Sequence, residues 1–434
     1  MDNSLVYTHD SLIKQIEEKL AAAGIMPLRE QAELSTRILK ERLDVVLPWA
    51  MEESGFDCWI IPARENCMDP VLKTLYPWDM IDVRRHGILA FYRDMETGAI
   101  RKMVIGRYSP VMRDIYENVQ QPEEDIWQAI GRIVDEINPS KIAVNRSRID
   151  GFCDGLSSTM FEQLREALGE SSEKLHDGEG LVLRWLQRVS PLEKEVMKAL
   201  SDVTHSIIKY SFSRQFIRVG YTTTTDVEWF MRDVINRLGF HFWFGPDVNL
   251  QRKGSTDTMM TNAVILPGDL LHCDIGLKST YIQLHTDMQW MAYVLNEGEE
   301  AAPAEFAALF AQAQRLQDIV MDKMSTSRTG NDAFLESVKT AEAEGIRAMV
   351  YTHPLGTFGH GAGPTIGKYD QQAFVPVTGE RPVENKTCHA LELNAADQIH
   401  AWGDQLVYMY LEEVVYKDGT VDFVDGRQEE LLLI

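Results

Sequence analysis

The chain has 434 residues, which exceeds the usual size of one hydrophobic core and predicts about two or three domains. Hydrophobic residues make up 44% and charged residues 25%, as in ordinary folded proteins, so the composition excludes a largely disordered chain. The net charge is −23, from 66 acidic and 43 basic residues. This acidity argues against nucleic acid and anionic membranes as partners, because both would be repelled.

The N-terminal stretch and the cysteines bear on the compartment. The first residues, MDNSLVYTHDSLIKQ, lack a basic start followed by an apolar run, and no later stretch is apolar for about 18 residues. The five cysteines are scattered and form no CxxC pair, which argues against a disulfide framework or a zinc ribbon. They are Cys58, Cys67, Cys153, Cys273 and Cys388. We therefore expect a soluble, cytoplasmic protein.

Residues 1–180 predict an N-terminal α/β domain, because segments with helical and strand periodicity alternate along them. The predicted elements are a helix at Arg42–Glu53, a strand at Cys58–Ile61, a hairpin around Met95–Gly98, a helix at Ile126–Ile137 and a strand at Lys141–Asn145. The polar segment Ser171–Gly180 is predicted to be a linker.

Residues 185–434 predict a second domain. Ser190 to Glu193 combine an N-cap, a proline at the first helical position and a glutamate at the third, which predicts a helix to about Arg218. A second capping box is predicted at Thr225–Glu228, and Gly239 would end that helix. Further predicted elements are helices at Pro303–Met324 and Asn331–Gly345, and strands at Val264–Gly276, Tyr281–Val294, Thr387–Leu393 and Leu406–Tyr416. The fold class that we expect is α+β.

Asp274 ends an apolar run in the first of these predicted strands. A buried carboxylate without a partner is unfavourable, so Asp274 is either a metal ligand, the partner of an Arg or Lys distant in sequence, or exposed at a strand end. In the next strand, alternation places His285 and Asp287 on one face. If the two strands form a hairpin, either residue could lie opposite Asp274, depending on the register; a solvated strand face is the alternative.

Two histidines, His353 and His360, lie in a segment whose Gly and Pro content predicts a loop. Neutral imidazole is a common metal ligand, and a second histidine can hydrogen-bond a substrate carbonyl or a developing oxyanion. Glu392 and Glu412 lie in predicted buried strands, with Glu413 beside the latter. Two divalent ions about 3.5 to 4 Å apart would explain such carboxylates, and a buried ion pair is the alternative for each.

The candidate ligands resemble, in order and spacing, the five metal ligands of the "pita-bread" metallopeptidases, which include methionine aminopeptidase, aminopeptidase P, prolidase and creatinase. They are Asp274, Asp287, His353, Glu392 and Glu412. The most specific part is a ligand histidine followed by a glycine three residues later and a second histidine seven residues later. The resemblance implies a C-terminal pita-bread domain preceded by an α/β domain of the creatinase and prolidase type.

For the site, the resemblance implies that Asp287 chelates one metal, that Asp274 and Glu412 bridge, and that His353 and Glu392 complete the other metal's shell. A metal-bridging water would be the nucleophile, with Glu392 as general base and acid. His360 would stabilise the tetrahedral intermediate. The implied cofactors are two divalent ions, with Mn expected and Co, Zn or Fe as alternatives. The implied partners are a peptide or peptide-like substrate and a second copy of the chain in a homodimer.

Three features depart from the family pattern. The family's two aspartates lie eleven residues apart, which from Asp274 reaches His285, whereas Asp287 requires a loop two residues longer. We favour Asp287, because a threonine precedes it as in the family and a carboxylate suits a bidentate role. The segment Gly245–Gly254 lacks a histidine that many members carry, and Glu392–Asn394 replaces the usual Glu-Pro-Gly.

The leading hypothesis is therefore a dinuclear Xaa-Pro aminopeptidase or dipeptidase. A creatinase-like hydrolase of a non-peptide C–N bond keeps the fold and changes the substrate. A non-catalytic binding module with a relic site is the third hypothesis.

Overall fold

The computed structural model describes residues 10–434, which form two compact units by their internal contacts. One unit contains residues 32–192, and the other contains residues 10–31 together with 193–434. The division into domains at 1–180 and 185–434 stays a prediction. The described chain opens with two helices, α1 (Asp10–Ala22) and α2 (Leu28–Ser54). Within residues 10–434, no helix is both long and apolar enough to span a membrane.

The unit of residues 32–192 is built on a six-stranded mixed sheet in the order β4-β3-β2-β1-β5-β6. Its strands are β1 (Cys58–Arg64), β2 (His86–Arg93), β3 (Ile100–Gly106), β4 (Glu117–Asn118), β5 (Ile142–Val144) and β6 (Leu175–Asp177). The predicted strands at β1 and β5 and the predicted hairpin between β2 and β3 are confirmed. The segment predicted as a linker is instead ordered, because β6 pairs in parallel with β5.

Three helices, α3 (Ile126–Ile137), α4 (Ser158–Leu168) and α5 (Glu179–Gln187), complete this unit. A capping box of Asp125 and Gln128 starts α3 and a left-handed Asn138 ends it, so the predicted helix has the predicted bounds. The apolar faces of α3 and α4 form one core with the sheet, through residues such as Ile130 and Leu164.

The larger unit contains the helices α6 (Pro191–Ser211), α7 (Thr224–Arg237), α8 (Ala304–Thr326) and α9 (Gly330–Ala343). Helix α6 ends before the predicted Arg218, because Ser213 begins a new turn by accepting the backbone N–H groups of Phe216 and Ile217. The capping box of α7 is formed by Thr223 and Asp226, two residues before the predicted one. Gly239 follows α7 in the left-handed conformation, as predicted.

Eleven strands of the described chain form three sheets in this unit. They are β7 (Phe240–Phe242), β8 (Asp247–Gln251), β9 (Leu270–Ile275), β10 (Leu277–Ser279), β11 (Met288–Tyr293), β12 (Arg347–Leu355), β13 (Thr387–Ile399), β14 (Gln405–Leu411), β15 (Val414–Asp418), β16 (Thr420–Phe423) and β17 (Leu432–Leu433). The sheet orders are β10-β7, β17-β11-β9-β8 and β12-β13-β15-β16, with β14 also paired to β13. Helices α8 and α9 cover the last two sheets with apolar residues such as Phe310 and Phe334. The α+β fold class is confirmed.

The predicted hairpin register is wrong. Asp274 lies opposite Gln289, so neither His285 nor Asp287 is its cross-strand partner. The reason is that the turn lies later in the chain than predicted: Met288 pairs with Ile275 and His285 with Lys278, which centres the turn at Tyr281 and Ile282. The predicted strand Leu406–Tyr416 is likewise divided into β14 and β15 at Glu412 and Glu413.

Candidate metal centre

The five predicted ligands lie in, or directly beside, the strands of two neighbouring sheets. Asp274 lies near the end of β9, Asp287 immediately precedes β11, His353 lies in β12, Glu392 in β13, and Glu412 between β14 and β15. A single antiparallel bridge between Gln289 and Glu412 joins the two sheets at this point, with backbone N–H···O distances of 3.1 and 3.0 Å. Segments that are far apart in sequence therefore meet at one place.

Asp287, His353 and Glu412 form a compact, buried group. The His353 Nε2 atom lies 3.4 Å from Asp287 Oδ2 and 3.7 Å from Glu412 Oε1. One ligand atom from each residue lies within 4.8 Å of the others, a spacing that a metal ion can span. The His353 Nδ1–H donates to the Pro354 carbonyl at 3.2 Å, which leaves Nε2 directed at the two carboxylates.

Asp274 and Glu392 belong to the same electrostatic cluster. Burial, followed by the charges of Glu412, Asp287 and Glu392, raises the pKa of Asp274 well above its ordinary value. Burial and the Glu412 charge raise the pKa of Glu392 to about 8. Burial and the Asp287 charge raise the pKa of Glu412 to about 7. Carboxylates that raise one another's pKa values repel one another when ionised, so a cation between them would stabilise their charged forms.

The hydrogen bonding of these carboxylates fits a metal site. Asp274 Oδ1 and Glu412 Oε1 are buried and have no hydrogen-bond partner in the described chain. No Lys or Arg among residues 10–434 forms an ion pair with either carboxylate, and Glu412 Oε1 lies 3.7 Å from His353 Nε2, which is itself a predicted metal ligand. Divalent cations prefer such anionic oxygens, and a donor set of four carboxylates and one imidazole suits divalent metal binding.

Glu413, the neighbour of Glu412, has the opposite surroundings. Its Oε1 accepts from Trp290 Nε1 at 2.6 Å and from the Gln428 backbone N–H at 3.0 Å. Its Oε2 lies 2.8 Å from His205 Nε2. Glu413 therefore forms the buried ion pair that the sequence analysis gave as the alternative to metal binding. Glu412, in contrast, has one carboxylate oxygen available to bind a metal.

His353 lies in a strand and not in the predicted loop, which begins only after Leu355. The strand tolerates Pro354 because β12 is an edge strand. Its partner β13 runs without interruption through Glu392, Leu393 and Asn394, whereas the family pattern would place a proline and a glycine at the last two positions. The sequence analysis predicted that the chain would differ from the family at this point, and the structure has a continuous strand here. In it, Glu392 lies opposite Tyr351.

The structure distinguishes the surroundings of His285 and Asp287. His285 donates from Nδ1 to the Gly356 carbonyl at 3.0 Å, and its backbone N–H donates to the same oxygen at 2.9 Å. It therefore positions the glycine-rich loop after His353. Asp287 instead lies in the compact group with His353 and Glu412.

His360 borders the cluster and is exposed to solvent. Its ring centroid lies 4.7 Å from that of His353, and its Nε2 lies 3.2 Å from the Tyr351 hydroxyl. Partial desolvation of the ring by its neighbours, followed by the charge of His353, lowers the pKa of His360 to about 4. A neutral imidazole at this position can donate a hydrogen bond to a substrate oxygen.

Several residues that the sequence analysis did not single out complete the surroundings. The Trp243 ring packs so closely that a Cβ added to Gly276 or Gly359 would lie 2.1 or 2.3 Å from it. Its Nε1 donates to the Thr286 carbonyl at 3.1 Å. Gln289 donates a hydrogen bond to Glu412. The only indication of this in the sequence is that Gln289 lies two residues after Asp287, and therefore on the same face of a strand.

Comparison with known proteins identifies the family. A profile of metallopeptidase family M24 matches residues 195–418, a little more than half of the chain, including all five predicted ligands. The chain belongs to metallopeptidase family M24. The predicted pita-bread membership is thereby confirmed, and the M24 chain is a metal-dependent peptidase. Among curated proteins, no significant match is found.

Solved structures share the fold of this M24 chain over most of its length. The X-Pro aminopeptidase of Thermotoga maritima is 15% identical, with a TM-score of 0.64, and the match covers 89% of this chain and 100% of that one. The Xaa-Pro dipeptidase of Bacillus anthracis is 15% identical, with a TM-score of 0.61 and coverage of 93% and 100%. The N-terminal domain of FACT complex subunit SPT16 from chickpea is 11% identical, with a TM-score of 0.55 and coverage of 92% and 98%.

Proposed function

We propose that this protein is a dinuclear Xaa-Pro aminopeptidase or dipeptidase. The main supporting observation is the compact group of Asp287, His353 and Glu412, which interacts electrostatically with Asp274 and Glu392. Two buried carboxylate oxygens of this cluster lack hydrogen-bond partners in the described chain. The fold shared with an X-Pro aminopeptidase and an Xaa-Pro dipeptidase supports the substrate class.

Within the site, we propose that Asp287 and Glu412 bind both ions, that His353 and Glu392 complete one shell, and that Asp274 completes the other. Ligand atoms about 2 Å from a common ion lie roughly 3 to 4 Å apart, as Asp287 Oδ2 and His353 Nε2 do at 3.4 Å. This differs from the role that the family resemblance implied, in which Asp287 and His353 serve different ions. The spacing supports Asp287 as the shared aspartate.

When bound, the two ions would polarise the scissile carbonyl and lower the pKa of a water between them. Glu392 is partly exposed and lies beside the cluster, so its carboxylate can accept a proton from the attacking water and return it to the leaving amine. His360 can donate a hydrogen bond to the carbonyl oxygen as negative charge develops there. We propose Mn²⁺ as the native metal, because the donors are mainly carboxylates.

Hydrolysis of proline peptides tests the proposal. The purified protein with Mn²⁺ should cleave Xaa-Pro dipeptides or tripeptides, lose activity on chelation and recover it when Mn²⁺ is restored. Cleavage of tripeptides favours an aminopeptidase, and cleavage of dipeptides alone favours a dipeptidase. If metal is bound but neither class is hydrolysed, the proposed substrate class is wrong and a creatinase-like C–N hydrolase becomes the better explanation.

Metal content tests the ligand assignment independently of activity. We expect about two equivalents per chain in the wild type. Asp274→Asn should retain one, whereas Asp287→Asn should bind neither ion tightly. Equal losses in both variants would contradict the shared role of Asp287. A wild-type chain that binds no metal after reconstitution would instead support a non-catalytic binding module.

The resemblance to the family also supports a homodimer, and the five free cysteines support a cytoplasmic location. Light scattering of the purified protein tests the first of these proposals: a monomeric mass near 49.4 kDa would contradict it.

A further inference from the structure

We propose that Gln289 and His272 are positioning residues that hold the Glu412 carboxylate in its metal-binding orientation. Gln289 Nε2 donates to Glu412 Oε2 at 2.8 Å. His272 Nε2 lies 2.9 Å from Gln289 Oε1. The result is a continuous chain of hydrogen bonds from His272 through Gln289 to Glu412. This inference rests on the proposed function, because it assumes that Glu412 is a metal ligand.

The position of Gln289 in the sheet makes it suited to this role. Its backbone pairs with that of Glu412 in both directions, and its Cα lies opposite that of Asp274 on β9. The residue thus stands between two of the proposed ligands. Gln289 is 3% exposed and His272 is also 3% exposed, so water does not compete with their hydrogen bonds.

The chemistry of the groups fixes the direction of each hydrogen bond. A carboxylate only accepts, so the Gln289 amide nitrogen must face Glu412. The amide oxygen then faces His272 and also only accepts, which requires the proton of His272 to be on Nε2. The His272 ring is held in place by Tyr410, whose ring centroid lies 4.7 Å away. His272 therefore prevents the Gln289 amide from rotating into the orientation that would repel Glu412.

The consequence concerns the second carboxylate oxygen. With Oε2 bound to Gln289, the Oε1 atom of Glu412 is directed at the cluster, 3.7 Å from His353 Nε2, and has no other partner. Residues that orient metal ligands in this way typically contribute about 10- to 100-fold to metal affinity.

Metal binding to the full-length chain tests the proposal. Gln289→Met keeps the side-chain volume and removes the donor, and it should weaken Mn²⁺ binding by about 10- to 100-fold in calorimetric titrations. Gln251→Met is the matched control, because Gln251 is equally buried in β8 and hydrogen-bonds the Tyr408 backbone at 2.7 and 2.9 Å. The control should lose folding stability without a comparable loss of metal affinity.

The His272→Phe variant tests the second link. Phenylalanine retains the ring against Tyr410 and removes the Nε2 proton, so metal affinity should fall in the wild-type background but not further in Gln289→Met. Additive losses in the double variant would show that His272 does not act through Gln289. If the wild type binds Mn²⁺ and Gln289→Met binds it no more weakly than Gln251→Met does, the positioning role is wrong. If the wild type itself binds no Mn²⁺, the proposed function fails instead.

Discussion

Glu412 and Glu413 are adjacent in the chain, yet their carboxylates have different surroundings because the strand is interrupted between β14 and β15. Both oxygens of Glu413 are occupied by Trp290, Gln428 and His205. One oxygen of Glu412 accepts a hydrogen bond from Gln289, and the other has no hydrogen-bond partner in the described chain. Burial alone therefore does not distinguish a candidate metal ligand from a structural carboxylate. The distinction depends on whether a carboxylate oxygen still lacks a hydrogen-bond partner.

The first prediction at the scale of single residues concerns His360. His360→Ala should lower kcat by about 10²- to 10³-fold, because it removes one donor to the developing oxyanion. Metal content should stay at the wild-type value, since His360 is not among the proposed ligands. His400→Ala is the control, because His400 is also exposed and pairs with Asp404. Loss of bound metal from the His360 variant would contradict its assigned role.

The second prediction concerns Gly359 and its contact with Trp243. A Cβ at this position would meet the Trp243 ring at 2.3 Å, so Gly359→Ala should reduce the free energy of unfolding by about 1–3 kcal/mol in urea titrations. In a Trp243→Ala background the same change should have little effect. Gly151→Ala is the control, because its added Cβ meets nothing within 4 Å. Equal effects of Gly359→Ala in both backgrounds would show that Trp243 is not the obstacle.

At this scale, sequence reasoning could find the residues whose type is informative by itself. Asp274, His353 and Glu392 are of residue types that bind metals and follow a recognisable order, so they could be named as candidates. Gln289, His272 and Trp243 have side chains that are common in ordinary cores. Their contacts depend on strand register and on the approach of a distant loop, neither of which local sequence specifies.

At the scale of elements, helix α6 is connected to the β14–β15 junction by a buried polar group. His205 on α6 lies 2.8 Å from Glu413 and 3.2 Å from Asp425, and Lys198 on the same helix also contacts Asp425. Burial alone would lower the pKa of His205, but the hydrogen bonds to Asp425 and Glu413 raise it to about 9.

This raised pKa predicts a pH dependence of stability. A histidine whose pKa is higher in the folded protein stabilises it fully below its unfolded pKa of about 6.5, and the contribution is lost as the pH rises through 9. The loss should be on the order of 3 kcal/mol. Unfolding free energies of wild type and His205→Gln, measured from pH 6 to pH 10, should converge as the pH rises. A constant difference between the two proteins would contradict the prediction.

Helices and strands whose ends are determined by neighbouring residues in the sequence could be predicted well. Helix α3 has the predicted bounds because its capping box and its left-handed Asn138 are encoded at its ends. The segment Tyr281–Asp287 alternates like a strand but is largely irregular, because it contains the turn between β10 and β11, and His285 forms a single bridge to Lys278. The predicted linker joins the N-terminal sheet, because β6 pairs with β5. Local alternation and composition do not specify the position of a turn or the pairing of a short strand.

At the scale of the whole molecule, the α+β class and the pita-bread family could be predicted, because the ligand order spans the larger unit. The grouping of residues 10–31 with residues 193–434 could not, since composition does not show which unit a terminal helix contacts. The assignment of Asp287 and His353 to a common ion also required the three-dimensional structure.

A crystal structure of the protein grown with Mn²⁺ tests the central claim most directly. An anomalous difference map should show two peaks about 3.5 to 4 Å apart. Both peaks should contact Asp287 and Glu412, with His353 and Glu392 on one and Asp274 on the other. The absence of peaks at these residues under saturating Mn²⁺, or a single peak held by His285 in place of Asp287, would contradict the proposed metal centre.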